Sequence, residues 1–116
     1  SVCIVDDDGK TPLWIAAWNG HLAVVRELFR GGAMPNAAPR CGTTPLLVAS
    51  RNGYVDVVRE LLQQGADANR ANINGKTPLW VASEKGHADV IGELLRHGAN
   101  VDVSTTREDS KRAWLP

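Results

Sequence analysis

Little in this sequence supplies the usual material of catalysis, metal binding or membrane insertion. Its 116 residues include two cysteines, three histidines, one methionine, one tyrosine and one phenylalanine, and 13 basic side chains balance 13 acidic ones. A chain without net charge sets up no global field to draw it to nucleic acid or to an anionic membrane. The longest apolar run, Pro12 to Trp18, falls far short of the ~20 residues that cross a bilayer. Ser1 to Val5 has no basic stretch leading into an apolar core. Neither cysteine stands at metal-ligand spacing from His21, His87 or His97, and no base and nucleophile are paired. No cofactor and no metal are expected, and the chain is not read as an enzyme.

What is present is a period. Gly-x-Thr-Pro-Leu occurs at Gly9 to Leu13, Gly42 to Leu46 and Gly75 to Leu79, at intervals of 33 residues. A fixed repeat of that length means one supersecondary unit stacked on copies of itself. With 43% hydrophobic residues there is enough apolar surface to build a core. Function is then to be sought along a repeating surface and not in a central cleft.

Each unit reads the same way. Thr11-Pro12, Thr44-Pro45 and Thr77-Pro78 suit a helix start, because Thr accepts a bond from a free first-turn N–H and Pro at the first position gives up only an orphan donor. Gly20, Gly53 and Gly86 stand where a helix of about two turns stops. A second helix carries Val24, Val25, Leu28 and Phe29, then Val57, Val58, Leu61 and Leu62, then Val90, Ile91, Leu94 and Leu95. That spacing makes one apolar stripe, ended by Gly32, Gly65 and Gly98. Nine residues rich in Asn, Asp and Ala, such as Ala66 to Asn74, read as an extended loop with a turn at its tip.

The pattern Gly-x-Thr-Pro-Leu-x-x-Ala, then Asn-Gly-His or Lys-Gly-His, then Val-Val-x-x-Leu-Leu-x-x-Gly-Ala, closely resembles the ankyrin repeat from about Asp6 to Asp102. The resemblance implies an all-α solenoid of helix-turn-helix units joined by β-turn or hairpin loops. It divides the chain into the end of a preceding partial repeat (1–7), three repeats (8–40, 41–73 and 74–103) and a C-terminal tail or degenerate cap (104–116). It also implies a protein-interaction module that binds a partner protein or peptide through turn tips and the exposed face of each first helix. On that basis the partner-binding residues are Asp8, Lys10, Trp18, Asn19, Arg40, Thr43, Arg51, Asn52, Ile73, Lys76, Glu84 and Lys85. The other reading is a structural spacer or self-associating element whose contacts are the open ends of the stack, which would allow homo-oligomers. Against an engineered binder on this scaffold, framework positions vary between units: His21, Tyr54 and His87 share one position, and Asn36, Asn69 and Asp102 another. Nucleic acid and membrane are not expected partners.

Several positions depart from the pattern. Where the family usually has His after Thr-Pro-Leu, this chain has Trp14, Leu47 and Trp80; packing between repeats is expected there, with an indole N–H able to supply one donor. Pro35 and Pro39 replace Ala68 and Asn72 of the next unit, so the first hairpin loses backbone donors and pairs less regularly. Gly92 stands where earlier units have Arg26 and Arg59; either it is tolerated or a close neighbour needs the room. Trp18, opposite Arg51 and Glu84 of the later units, is either a binding hot spot or a packing residue.

The ends read as interrupted. Ser1 to Val5 align with Asp67 to Ala71, as if the chain began inside an array, and Ser110-Lys111-Arg112 stands where Thr-Pro-Leu is due. Ala113-Trp114-Leu115 is expected to fold back on the last unit's open face. By register, Cys3 takes the place of Asn36 and Asn69 while Cys41 takes that of Asn74. Successive units sit about 8–10 Å apart, too far for the ~7 Å that a disulfide tolerates. Two unbridged thiols suggest a reducing compartment, the cytoplasm or nucleus.

Overall fold

A computed structural model describes residues 9–39 and 41–102. Six α-helices and no strands occur among them: α1 (Pro12–Asn19), α2 (Leu22–Arg30), α3 (Pro45–Asn52), α4 (Val55–Gln63), α5 (Pro78–Lys85) and α6 (Ala88–Arg96). The starts of α1, α3 and α5 follow the sequence reading. Thr11, Thr44 and Thr77 have extended backbones, and their hydroxyls accept from the N–H of Trp14, Leu47 and Trp80 at 3.1, 3.1 and 3.2 Å. Each of these helices ends on a left-handed glycine. Gly20, at φ 71°, donates to the carbonyls of Ala16 and Ala17, a conformation that costs a side-chain-bearing residue more.

Packing runs in two layers. The first helices stack as α1 on α3 on α5, and the second helices as α2 on α4 on α6, with α1–α2, α3–α4 and α5–α6 paired within units. The apolar stripe of each second helix has two sides. Val57, Val58, Leu61 and Leu62 are all buried because α4 has a neighbour on either side. In α2 it is Val24 that is left exposed, and in α6 it is Leu95. Complete burial of such a side chain stabilises by roughly 1.5–3 kcal/mol, so the middle unit holds the stack together most strongly. Leu61→Ala, at a fully enclosed position, should cost about 2–5 kcal/mol.

Polar rows tie the units together. Asn36 Nδ2 donates to the Gly65 carbonyl at 3.3 Å and its Oδ1 accepts from Asp67 N–H at 2.8 Å. Asn69 repeats both bonds on Gly98 and Asn100, at 3.1 and 2.7 Å. On the second-helix layer Arg26 pairs with Glu60 at 3.3 Å and Arg59 with Glu93 at 3.1 Å. Glu93 is itself buried and also meets Arg96 at 2.8 Å. Gly92 is the third position of the arginine row. A Cβ placed there would meet nothing within 4 Å, so among the described residues no neighbour requires the glycine, which favours the first of its two sequence readings.

The cysteine expectation fails. Cys41 is disulfide-bonded, and no cysteine among the described residues is free; Cys3, the other cysteine of the chain, lies outside them. The spacing of about 8–10 Å holds between packed helices, whereas Cys41 lies in the loop between α2 and α3. With that bond the thiol argument for a reducing compartment lapses. The expected fold-back of Ala113-Trp114-Leu115 also falls outside the described residues.

Candidate interaction surface

The hairpin tips and the ends of the first helices carry the candidate residues, and packing sorts them. Ile73 projects from the second hairpin with 63% of its surface exposed, between Asn72 and Asn74. Its N–H donates to the Cys41 carbonyl at 3.0 Å, which fixes this tip against the neighbouring hairpin. Asn72 Oδ1 accepts from the N–H of Asn74 and Lys76 at 2.9 and 3.1 Å, so the turn is pinned internally as well. An apolar side chain is thus displayed on a rigid base.

Arg51, Glu84 and Lys85 are exposed at the ends of α3 and α5. Among the described residues none of the three enters an ion pair. Asn19 is exposed too, with its Nδ2 turned back to the Ile15 carbonyl at 3.0 Å. Asp8 and Arg40 lie outside the described residues.

Other candidates are engaged in the fold. Thr43 is only 8% exposed, which corrects its reading as an open groove position. It lies between the first hairpin and α3, and its carbonyl accepts from Trp14 Nε1 at 2.7 Å. Asn52 is half-buried, and its Nδ2 donates to the Trp18 carbonyl at 3.0 Å. Trp18 is half-buried as well, packed on the core and stacked on Trp14 with centroids 5.3 Å apart and planes 12° from parallel. Of its two readings, packing accounts for most of the ring; an edge stays accessible.

Lys10 and Lys76 stand over indoles. Lys10 Nζ is 5.2 Å from the Trp14 ring centroid and Lys76 Nζ is 4.5 Å from that of Trp80. The string Gly-Lys-Thr-Pro-Leu-Trp, identical in the first and third units, builds this cation–π pair twice. The middle unit, with Thr43 and Leu47, has no such pair.

Sequence reasoning missed two classes of contact that shape this surface. Tyr54 and His87 were matched with His21 by position, but their rings also cover the preceding unit's helix-ending glycine: a Cβ on Gly20 would lie 2.7 Å from the Tyr54 ring, and one on Gly53 2.7 Å from the His87 ring. His87 Nε2 is 2.9 Å from the Arg51 carbonyl; a carbonyl can only accept, so that nitrogen bears the proton. The arginine–glutamate row was the second omission. Its signal was available as Arg at one position and Glu 34 residues on, one more than the repeat.

Chemically this surface offers recognition. Among the described residues no group of His, Cys, Asp and Glu is arranged to hold a metal ion, and no helix is long and apolar enough to cross a membrane. Comparison with known families matches a model described as Ankyrin repeats (3 copies) over residues 31–105 and one described as Ankyrin repeat over residues 8–39. No curated protein matches the chain.

Proposed function

The chain belongs to the ankyrin repeat family, whose repeats are generally protein–protein interaction modules, and we propose that it binds a partner protein or peptide along the hairpin tips and first-helix ends. The family is typically non-enzymatic, and nothing positive points to catalysis. The observation that carries this reading is Ile73: an isoleucine 63% exposed on a hairpin whose backbone is fixed by its neighbours. A rigid apolar anchor contributes to binding because little ordering entropy is lost when it is covered.

Arg51, Glu84 and Lys85 add exposed charge of both signs at the ends of α3 and α5, which favours an amphipathic peptide segment over a polyanion. Asn19, the indole edge of Trp18 and the cations of Lys10 and Lys76 extend the surface along the stack. Asp8 and Arg40 belong to the same proposed surface by register.

The test is affinity capture with the intact chain, comparing the wild type with Arg51→Ala/Ile73→Asp and with Arg30→Ala, an exposed residue on the second-helix layer. A partner retained by the wild type and by Arg30→Ala but lost by the double variant supports the surface. Equal retention by all three excludes it. A second reading, self-association, is favoured by Ile15 and Val24, both exposed although the residues in register with them, Val48 and Val81, Val57 and Val90, are buried. Sedimentation of the wild type against Ile15→Asp separates the two.

A further inference from the structure

Asparagine stands directly before glycine at Asn19-Gly20, Asn52-Gly53 and Asn74-Gly75. Such a pair is chemically labile, because a glycine nitrogen with no Cβ beside it is free to approach the carbonyl carbon of the asparagine side chain. After Asn36, Asn69, Asn72 and Asn100 come Ala, Arg, Ile and Val, whose Cβ crowds that approach. Two of the labile pairs close first helices, and the third forms the tip of the second hairpin.

The helix-end pairs are held shut. Gly20 N–H donates to the carbonyls of Ala16 and Ala17, and Gly53 N–H to those of Ala49 and Ser50. The next amides, of His21 and Tyr54, close on Ala16 and Ala49 at 3.0 Å each. Both side chains are engaged as well, Asn19 Nδ2 on the Ile15 carbonyl and Asn52 Nδ2 on the Trp18 carbonyl, each at 3.0 Å. Nitrogen and Cγ meet there only if the last helical turn opens. Asn74 is exposed in a turn, and among the described residues its side chain makes no hydrogen bond. Gly75 lies at φ 79°, and its N–H has one bond to give up, to the Asn72 carbonyl at 2.9 Å.

We infer that Asn74 is a site of spontaneous modification, converting through a cyclic imide to aspartate and isoaspartate, while the fold protects Asn19 and Asn52. The Gly75 nitrogen loses its proton to solvent base and bonds to Asn74 Cγ. The Cγ–Nδ2 bond breaks, and ammonia leaves with a proton taken from solvent. Water then opens the ring: cleavage of the new N–Cγ bond gives aspartate on the original main chain, and cleavage at the main-chain carbonyl gives isoaspartate, whose main chain runs through Cβ and Cγ. One water is consumed and one ammonia released, with no oxidant or reductant. Asp8 holds the register of Asn74 in the first unit, so the aspartate product is a residue the repeat already uses. Isoaspartate inserts a main-chain atom into a turn that Asn72 Oδ1 holds at the N–H of Asn74 and Lys76, and so disturbs the base on which Ile73 stands. The modification does not depend on partner binding, since it follows from the chemistry of the tip alone.

The test follows the intact chain by peptide mass spectrometry during incubation in mildly alkaline buffer, folded and in denaturant. In denaturant the three pairs are expected to convert at comparable rates. In the folded chain Asn74 should convert at least about ten-fold faster than Asn19 or Asn52, because one turn bond opens more readily than a capped helix end, and isoaspartate should appear at position 74. Equal rates at the three sites of the folded chain overturn the proposal, as does conversion led by Asn19 or Asn52. So does an Asn74 that stays intact in the folded chain while the denatured chain converts.

Discussion

Trp14 Nε1 donates to the carbonyl of Thr43, 29 residues on, at 2.7 Å, a carbonyl that Pro39 cannot serve. In the second hairpin the equivalent carbonyl, that of Lys76, accepts from Asn72 N–H at 3.0 Å. The residue in register with Asn72 is Pro39, which has no N–H to give. Leu47, in register with Trp14, has no donor either, and needs none because Asn72 serves. Two departures from the repeat, a proline in a loop and a tryptophan in a helix, therefore compensate each other across a unit boundary.

Trp14→Phe should cost about 1–3 kcal/mol, since a buried acceptor loses a bond while the ring's apolar burial is largely kept. In a Pro39→Ala background, where a backbone N–H returns to the hairpin, the same change should cost at least ~0.5 kcal/mol less. Denaturant unfolding of the four proteins measures this coupling. Strict additivity would show that the two positions act independently.

Gly92 and Gly53 should respond in opposite directions to alanine. At Gly92 a Cβ meets open space inside α6, so Gly92→Ala should stabilise by about 1 kcal/mol through helix propensity alone. At Gly53 the backbone is left-handed, with φ +81°, and a Cβ would lie 2.7 Å from the His87 ring. Gly53→Ala should therefore destabilise by more than ~1 kcal/mol. Thermal unfolding of both variants checks the sign of each effect.

Ser50 is the contrasting case inside α3. Its hydroxyl is fully buried and has no hydrogen-bond partner, whereas Ser83, in register with it, donates to the Leu79 carbonyl at 2.7 Å. Ala17 holds the same position in α1. Ser50→Ala should leave stability unchanged or raise it by up to ~1 kcal/mol. A fall in melting temperature would show that the hydroxyl has a role the packing does not reveal.

These pairs explain what could and could not be read from the sequence. The helix starts at Thr11, Thr44 and Thr77 and the stops at Gly20, Gly53 and Gly86 were all predictable, because caps and left-handed glycines are local and recur with the period. The burial of Thr43 was not, since it depends on what the preceding unit places over it. Nor was the exchange of donors at one recurring carbonyl: Asn52 serves that of Trp18, whereas His87 serves that of Arg51. Comparing units position by position finds where they differ, but not which difference on one unit answers a difference on the next. Ile73 was already a candidate by register, but its exposure on a hairpin pinned by the Cys41 carbonyl depends on contacts between units.

The account holds that recognition falls to the residues the stack leaves over on its hairpin tips and first-helix ends. The most direct measurement is amide hydrogen exchange of the intact chain with and without a captured partner. Added protection confined to Ile73 and its hairpin, Arg51–Asn52 and Glu84–Lys85 is the predicted result. Protection centred on the exposed side of α2 and α4, around Arg26, Arg30 and Gln63, would contradict it.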